Sequence, residues 1–224
     1  MKMNTFPADE LGTVLAKHVA ADLRAALQAK GKASIAVSGG STPAPFLVAL
    51  SKEKLDWNKV TVTLTDERQV SADSPRSNAR LVAENLLQGD AKKAQFIPLF
   101  VEGQTIADTE RSVAMSIVPL DVCVLGMGDD MHTASLFPGT PGLADMLDVK
   151  GDALVLPATP PTADEARVTL TAAALSTAAQ TYLLIKGAGK RAALEKAMQT
   201  DDPLAAPIRS VLDAAQSAAV FFAE

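Results

Sequence analysis

Short, mainly apolar runs alternate with segments of helical spacing through this chain, and that alternation restricts the fold more than any other feature. Residues 34–37, 60–64 and 121–125 are four or five residues long, rich in branched aliphatic side chains, and each is followed by glycines or charged residues. The unbroken apolar run Val122–Leu125 marks a strand covered on both faces, and the other two also read as strands. Between them lie amphipathic stretches. Residues 9–29 carry Leu11, Val14, Leu15, Val19, Leu23 and Leu27 at helical intervals, with Gly31 as the stop. Helices are predicted over 78–87, capped by Ser77 and stopped by Gly89, and over 105–118, and another runs through Leu50 with Pro43 in its first turn. Beyond Gly142 the pattern weakens. Strands are predicted at 154–156, 167–170, 182–185 and 218–222, and helices near 172–179 and 190–198. The expected architecture is a single α/β domain over 1–224: a mostly parallel sheet with helices on both faces and right-handed crossovers.

Composition narrows the function. A net charge of −5 disfavours nucleic acid and anionic membrane as partners, so an anionic ligand would have to meet a local cluster of cations. No segment approaches the roughly eighteen apolar residues of a membrane span, and the N-terminus lacks an apolar signal core, so a cytoplasmic protein is expected. The single cysteine, Cys123, falls inside an apolar run and reads as a buried thiol. His18 lies within the first helical segment and reads as a surface or packing residue.

In an open α/β sheet, chemistry gathers outside the carboxyl ends of the strands. Four such ends here carry polar or glycine-rich turns. The most informative is Leu125-Gly-Met-Gly-Asp-Asp-Met-His-Thr-Ala-Ser-Leu-Phe-Pro138, which places His132 just after Asp129 and Asp130. A histidine beside a carboxylate can take a proton from water near neutral pH; alternatively the two acids cap a helix and His132 only packs. Ser38-Gly-Gly-Ser-Thr-Pro43 is a plausible phosphate cradle of backbone N–H groups at a helix N-terminus, or a plain turn in which Ser41 or Thr42 is the N-cap. It is neither a Walker loop nor a nucleophile elbow. In Thr65-Asp-Glu-Arg68, Arg68 could grip a phosphate or pair with Glu67 or Asp66. Lys186-Gly-Ala-Gly-Lys190 offers Lys190 as a second cation, and Arg167 stands after the Pro-rich loop 157–161. The segment 126–131 begins like a dinucleotide fingerprint but has Met131 for its third glycine, and no metal-ligand spacing is present. A small phosphorylated ligand and cofactor-free proton transfer are implied.

Taken in order, Ser38–Pro43, Thr65–Arg68 with Ser77-Asn78, Gly126–Pro138, Arg167-Val-Thr-Leu-Thr171 and Gly187-Ala-Gly-Lys190 resemble the 6-phosphogluconolactonase family over almost the whole chain. The resemblance implies a Rossmann-like fold shared with glucosamine-6-phosphate deaminases and ribose-5-phosphate isomerases. It implies hydrolysis of 6-phospho-D-glucono-1,5-lactone without metal or coenzyme, in a protein that is a monomer or weak homo-oligomer. By the same resemblance His132 is the general base, Asp130 supports it, Arg68 and Lys190 hold the phosphate, and Gly39, Gly40, Ser41, Thr42, Asp66, Asn78 and Arg167 complete the substrate site. The family's usual glycine between acid and histidine is Met131 here, which implies a backbone conformation open to any side chain and a narrowed pocket floor. Two rivals exist. Glucosamine-6-phosphate deaminases carry a glutamate five residues beyond the histidine, where this chain has Phe137, and a non-catalytic sugar-phosphate sensor would usually carry an added domain.

Overall fold

The computed structural model describes residues 2–224 of the chain. Its main sheet is seven-stranded, built from β1 (Lys2–Thr5), β2 (Ala33–Val37), β3 (Val60–Leu64), β5 (Gln95–Ile97), β6 (Val122–Leu125), β9 (Gln180–Lys186) and β10 (Ala218–Ala223). A separate three-stranded sheet holds β4 (Asp66–Arg68), β7 (Val155–Ala158) and β8 (Arg167–Leu170). In the main sheet the order is β1-β10-β9-β6-β2-β3-β5 and each pairing is parallel. From β2 the chain first adds β3 and β5 on one side. It then returns to lay β6 on the other side of β2, with β9 and β10 beyond. That reversal makes the β2–β6 boundary a switch point, where neighbouring loops diverge and leave a crevice.

Helices α1 (Leu11–Lys30), α2 (Ala44–Ser51), α3 (Asn78–Asn85), α4 (Ile106–Ser116), α5 (Leu143–Leu147), α6 (Ala172–Leu175), α7 (Ala188–Gln199) and α8 (Pro207–Ala214) make the connections. Each residue of β2 and β6 is buried, as a strand covered on both faces must be. Helix α1 buries Leu11, Leu15, Val19 and Leu23 against the sheet, each contributing about 2 kcal/mol of apolar transfer. It ends where expected, at Gly31 with φ +73, whose N–H caps the Leu27 carbonyl. Cys123 is fully buried in β6, and desolvation pushes its thiol up to about 12. His18 is exposed and sets its ring edge-on to Phe221.

The structure departs from the sequence expectation in several places, each with a cause. Residues 155–158 and 167–170 are strands, as the apolar runs suggest, but they leave the parallel sheet: 167–170 pairs antiparallel with 66–68 on one side and with 155–158 on the other. The charged segment Asp66–Arg68 is not a loop but the third strand of this small sheet. Helix α3 stops at Asn85, and Gly89 opens a 3₁₀ turn instead of ending the helix. Helix α6 is a single turn. Also not foreseen were β1, whose partner β10 lies at the other end of the chain, the short strand β5, and the helices α5 and α8. Pro207 looks like a breaker in sequence, yet it opens α8 at a position where a missing N–H costs nothing.

One buried acid ties the small sheet to α3. Glu67 is 2% exposed, and its carboxylate accepts hydrogen bonds from the N–H groups of Arg68 (2.7 Å), Asn78 (2.8 Å) and Ala79 (2.7 Å) and from the Ser77 hydroxyl (3.1 Å). Ser77 in turn caps the Arg80 N–H at 3.1 Å. A carboxylate at a helix N-terminus satisfies orphan donors and meets the positive end of the helix dipole. Replacing Glu67 with alanine strands several buried donors and should cost about 3 kcal/mol. For a chain of this size that lowers Tm by about 6–12 °C, which calorimetry will read. A loss under about 1 kcal/mol would mean that water replaces the carboxylate at no great cost.

Candidate active site

Strand β6 ends in a closed turn that fixes His132. The Gly128 N–H donates to the His132 carbonyl at 2.9 Å, the Met131 N–H donates to Gly128 at 3.1 Å, and the Thr133 hydroxyl ties back to the Gly126 carbonyl at 2.8 Å. Inside this turn Asp130 Oδ1 lies 2.5 Å from His132 Nδ1 and accepts the His132 backbone N–H at 3.2 Å. Gly128 makes the pair possible. A Cβ there would stand 2.2 Å from His132 Nδ1 and 2.3 Å from Asp130 Oδ1, so any side chain would expel one of them. Partial burial pushes the Asp130 carboxyl up, but hydrogen bonds from His132 and the attraction of its ring outweigh this and hold it below the usual carboxylate value. Its support of the turn is thus complete above the ordinary carboxylate range and is lost only as pH falls through the depressed value. With Asp130 ionised, Nδ1 carries the ring proton and Nε2 is the basic nitrogen. Phe137 stacks on the imidazole, centroid to centroid 3.7 Å and 19° from parallel.

No helix begins at this turn, so Asp129 and Asp130 are not helix caps. Asp129 instead reaches Lys190 at 3.2 Å. Met131 corrects a further expectation. Its φ is +68, the left-handed conformation that glycine favours, so the backbone is not open to any side chain, and this one is carried at a cost of about 1–3 kcal/mol. That side chain is buried in the core and does not line the cleft, so the pocket floor is not narrowed.

The cleft, about 440 Å³ in volume, opens at the β2–β6 boundary. It is lined by Gly39, Gly40, Ser41, Thr42, Asp66, Arg68, Asn78, His132, Arg167 and Lys190, all of them singled out from sequence, while Asp130 stands behind His132. In the cradle, Gly40 adopts φ +100, and a Cβ on Gly39 would lie 1.9 Å from Asn78 Oδ1. Ser41 and Thr42 are exposed and neither caps α2, whose N-cap is Pro43 without a side-chain bond. Asn78 is locked by its amide bond to the Asp66 carbonyl at 2.8 Å.

Arg68 and Arg167 face each other across the β4–β8 ladder. Arg68 makes no ion pair with Glu67 or Asp66: Glu67 serves backbone donors, and Arg68 donates to the Arg76 carbonyl at 2.5 Å. Arg167 is 7% exposed, far more buried than a lone strand-edge arginine, with Asp66 Oδ2 at 3.7 Å. Burial pulls its guanidinium below the usual value against the attraction of Asp66. The Nε atoms of both arginines are buried without a partner, which leaves this wall short of acceptors. Asp66 itself accepts from the Ser135 hydroxyl at 2.6 Å. Such a wall suits a phosphate or carboxylate. Among the described residues no group of three or more His, Cys, Asp and Glu could hold a metal ion, and no helix is long and apolar enough to cross a membrane.

Several residues that shape the site lie in the quoted motifs but were given no site role from sequence. Ser38, Met127 and Lys186 also line the cleft, and Ser135 and Glu67 position its walls. Lys186 follows a buried strand just as Lys190 follows its glycines, and could have been found. The Ser135–Asp66 bond joins residues far apart in the chain, and no local pattern marks it.

Residues 7–221 match the family model described as glucosamine-6-phosphate isomerases/6-phosphogluconolactonase. A 6-phosphogluconolactonase of Mesorhizobium japonicum is 48% identical over 217 residues, covering 95% of this chain and 90% of that protein. One from Rhizobium meliloti is 45% identical over 212 residues, covering 92% and 91%. The crystal structure of a 6-phosphogluconolactonase from Shewanella baltica superposes with a TM-score of 0.95 at 39% identity, over 100% of this chain and 98% of the other. With its motifs gathered around one cleft and its length matched by these relatives, the chain belongs to the glucosamine-6-phosphate isomerase/6-phosphogluconolactonase family.

Proposed function

We propose that this protein hydrolyses 6-phospho-D-glucono-1,5-lactone to 6-phospho-D-gluconate. The observation that carries the reading is the Asp130-supported imidazole of His132 in a cleft that is also lined by two arginines with unpartnered Nε atoms. The names of the relatives at 48% and 45% identity support the same substrate. Arg68 and Arg167, with Lys190 and the N–H groups of the 39–42 cradle, take the phosphate and so position the lactone carbonyl. His132 Nε2 removes a proton from a water as its oxygen bonds to C1, and the carbonyl π pair moves onto oxygen. Backbone N–H groups of the 39–40 and 126–128 turns are the candidate donors to that oxyanion. Its collapse breaks the bond from C1 to the ring oxygen. The imidazolium then protonates that oxygen, and the open-chain acid forms. Asp130 stabilises the charged imidazole throughout.

The deaminase alternative needs an acid at position 137. Here Phe137 packs on the catalytic ring, where it shields one face from water and offers no proton. A sensor would have no use for a base held at a carboxylate, so the enzymatic reading is favoured.

Three expectations follow from this arrangement. His132→Asn should lose about 10²–10⁴-fold in kcat, the typical worth of a placed base, with KM for the lactone little changed; near-normal turnover would remove His132 from the mechanism. Arg68→Ala and Arg167→Ala should each lower kcat/KM for the phosphorylated lactone by about 10–100-fold, consistent with about 1.5–3 kcal/mol for a charge-assisted bond. Their effect on glucono-1,5-lactone should be small, and equal losses on both substrates would assign the arginines to the fold or to the carbonyl. Wild-type enzyme, dialysed against chelator, should hydrolyse freshly generated 6-phosphogluconolactone above its spontaneous rate and release no ammonia from glucosamine 6-phosphate. Ammonia release, or activity that returns only with added divalent metal, would overturn the proposal.

A further inference from the structure

Met131 sits between the two members of the base pair, with Asp130 before it and His132 after it, in a backbone conformation that disfavours a side chain. A residue stays in such a conformation only where its surroundings over-determine it. Three contacts do so here. Its N–H closes the turn onto the Gly128 carbonyl at 3.1 Å, and its own carbonyl accepts the Ile208 N–H at 3.1 Å from the first turn of α8. The thioether side chain, 8% exposed, belongs to the same apolar core as Ile208, Val211 and Leu212 of that helix. Helix α8 is itself tied to the segment before it, since Arg209 donates to the Thr200 carbonyl and reaches Asp201 at 3.1 Å. A glycine at 131 would adopt the same φ without strain, but it would forfeit the buried side chain and widen the range of conformations open to the turn.

We propose that Met131 is a positioning residue that bolts the His132 turn to α8 and thereby holds the imidazole against Asp130. The inference rests on the lactonase reading above and deepens it. Proton transfer to the imidazole depends on ring placement, whereas phosphate capture is assigned to Arg68 and Arg167, which stand on the β4–β8 ladder and outside the His132 turn. Loosening residue 131 should therefore act on kcat and spare KM.

The test compares wild type with Met131→Gly, Met131→Ala and Met131→Leu, with rates normalised to the folded fraction measured by circular dichroism. Met131→Gly and Met131→Ala are each expected to lose about tenfold in kcat with KM within about twofold, short of the ~10²-fold that a full ångström of misplacement can cost. Met131→Leu, which keeps buried volume, should return to within about threefold of wild type. A downfield proton resonance from His132 Nδ1–H, present in wild type and in the leucine variant, should weaken in the glycine variant. Should Met131→Gly not fold, the alanine and leucine variants carry the comparison. Wild-type turnover in the glycine or alanine variant, or a loss spread equally over kcat and KM, would overturn the positioning role. Absence of lactonase activity from wild type itself would instead defeat the underlying functional reading.

Discussion

Seven strands running in one direction impose a constraint that the whole site inherits. Parallel pairing sends every strand's carboxyl end to the same edge, so the turns after β2, β3, β6 and β9 open on one side of the sheet although they are far apart in the chain. The reversal of order between β2 and β6 then parts two of those turns and leaves space between them. Had any of these four strands run antiparallel, its polar turn would lie at the opposite edge, some 15 Å away for a five-residue strand at about 3.3 Å per residue. The cradle, the His132 turn and Lys190 meet because of strand direction before any side-chain contact is made.

Direction alone does not supply the cationic wall. That comes from the small antiparallel sheet, which takes the charged end of β3's connection and pairs it with a strand from a hundred residues later. The pairing puts Arg68 opposite Arg167, two like charges that would repel unless an anion or buried acids lie close by. Asp66 and Glu165 supply part of the compensation, at 3.7 Å and 4.0 Å from Arg167. Glu67 does different work, holding the N-terminus of α3 so that Asn78 can brace both the cradle and the Asp66 backbone. Buried charge is costly without partners, and here the partners are also what orient the groups left free to meet a ligand.

At the other wall the decisive quantity is space. Gly128 and Gly39 each stand where a Cβ would strike a polar group that the site needs, His132 with Asp130 in one case and Asn78 in the other. Phe137 fills the remaining flank of the imidazole, so the ring is bounded by a carboxylate at Nδ1 and an aromatic face. Nε2 is the His132 ring nitrogen that Asp130 does not hold. In this chain an apolar ring occupies that flank.

The sequence by itself determined a great deal. Short apolar runs require strands covered on both faces, the leucine spacing of 9–29 requires an amphipathic helix, and glycine with acid and histidine after an apolar run marks where chemistry can gather. These signals are local and survive without knowledge of partners, which is why His132, the 38–43 cradle, Arg68 and Lys190, which line one cleft, could be singled out from sequence. The tertiary structure alone decided what depends on contacts between distant segments: that 66–68, 155–158 and 167–170 leave the main sheet, that Arg167 is buried beside Asp66, that Ser135 reaches the Asp66 carboxylate, and that β1 pairs with β10. It also decided the conformation of Met131. Residue identity predicts a side-chain-tolerant backbone, but the closed turn and its bond to α8 impose a left-handed one, because the local cost of about 1–3 kcal/mol is smaller than what the surrounding packing and hydrogen bonds return.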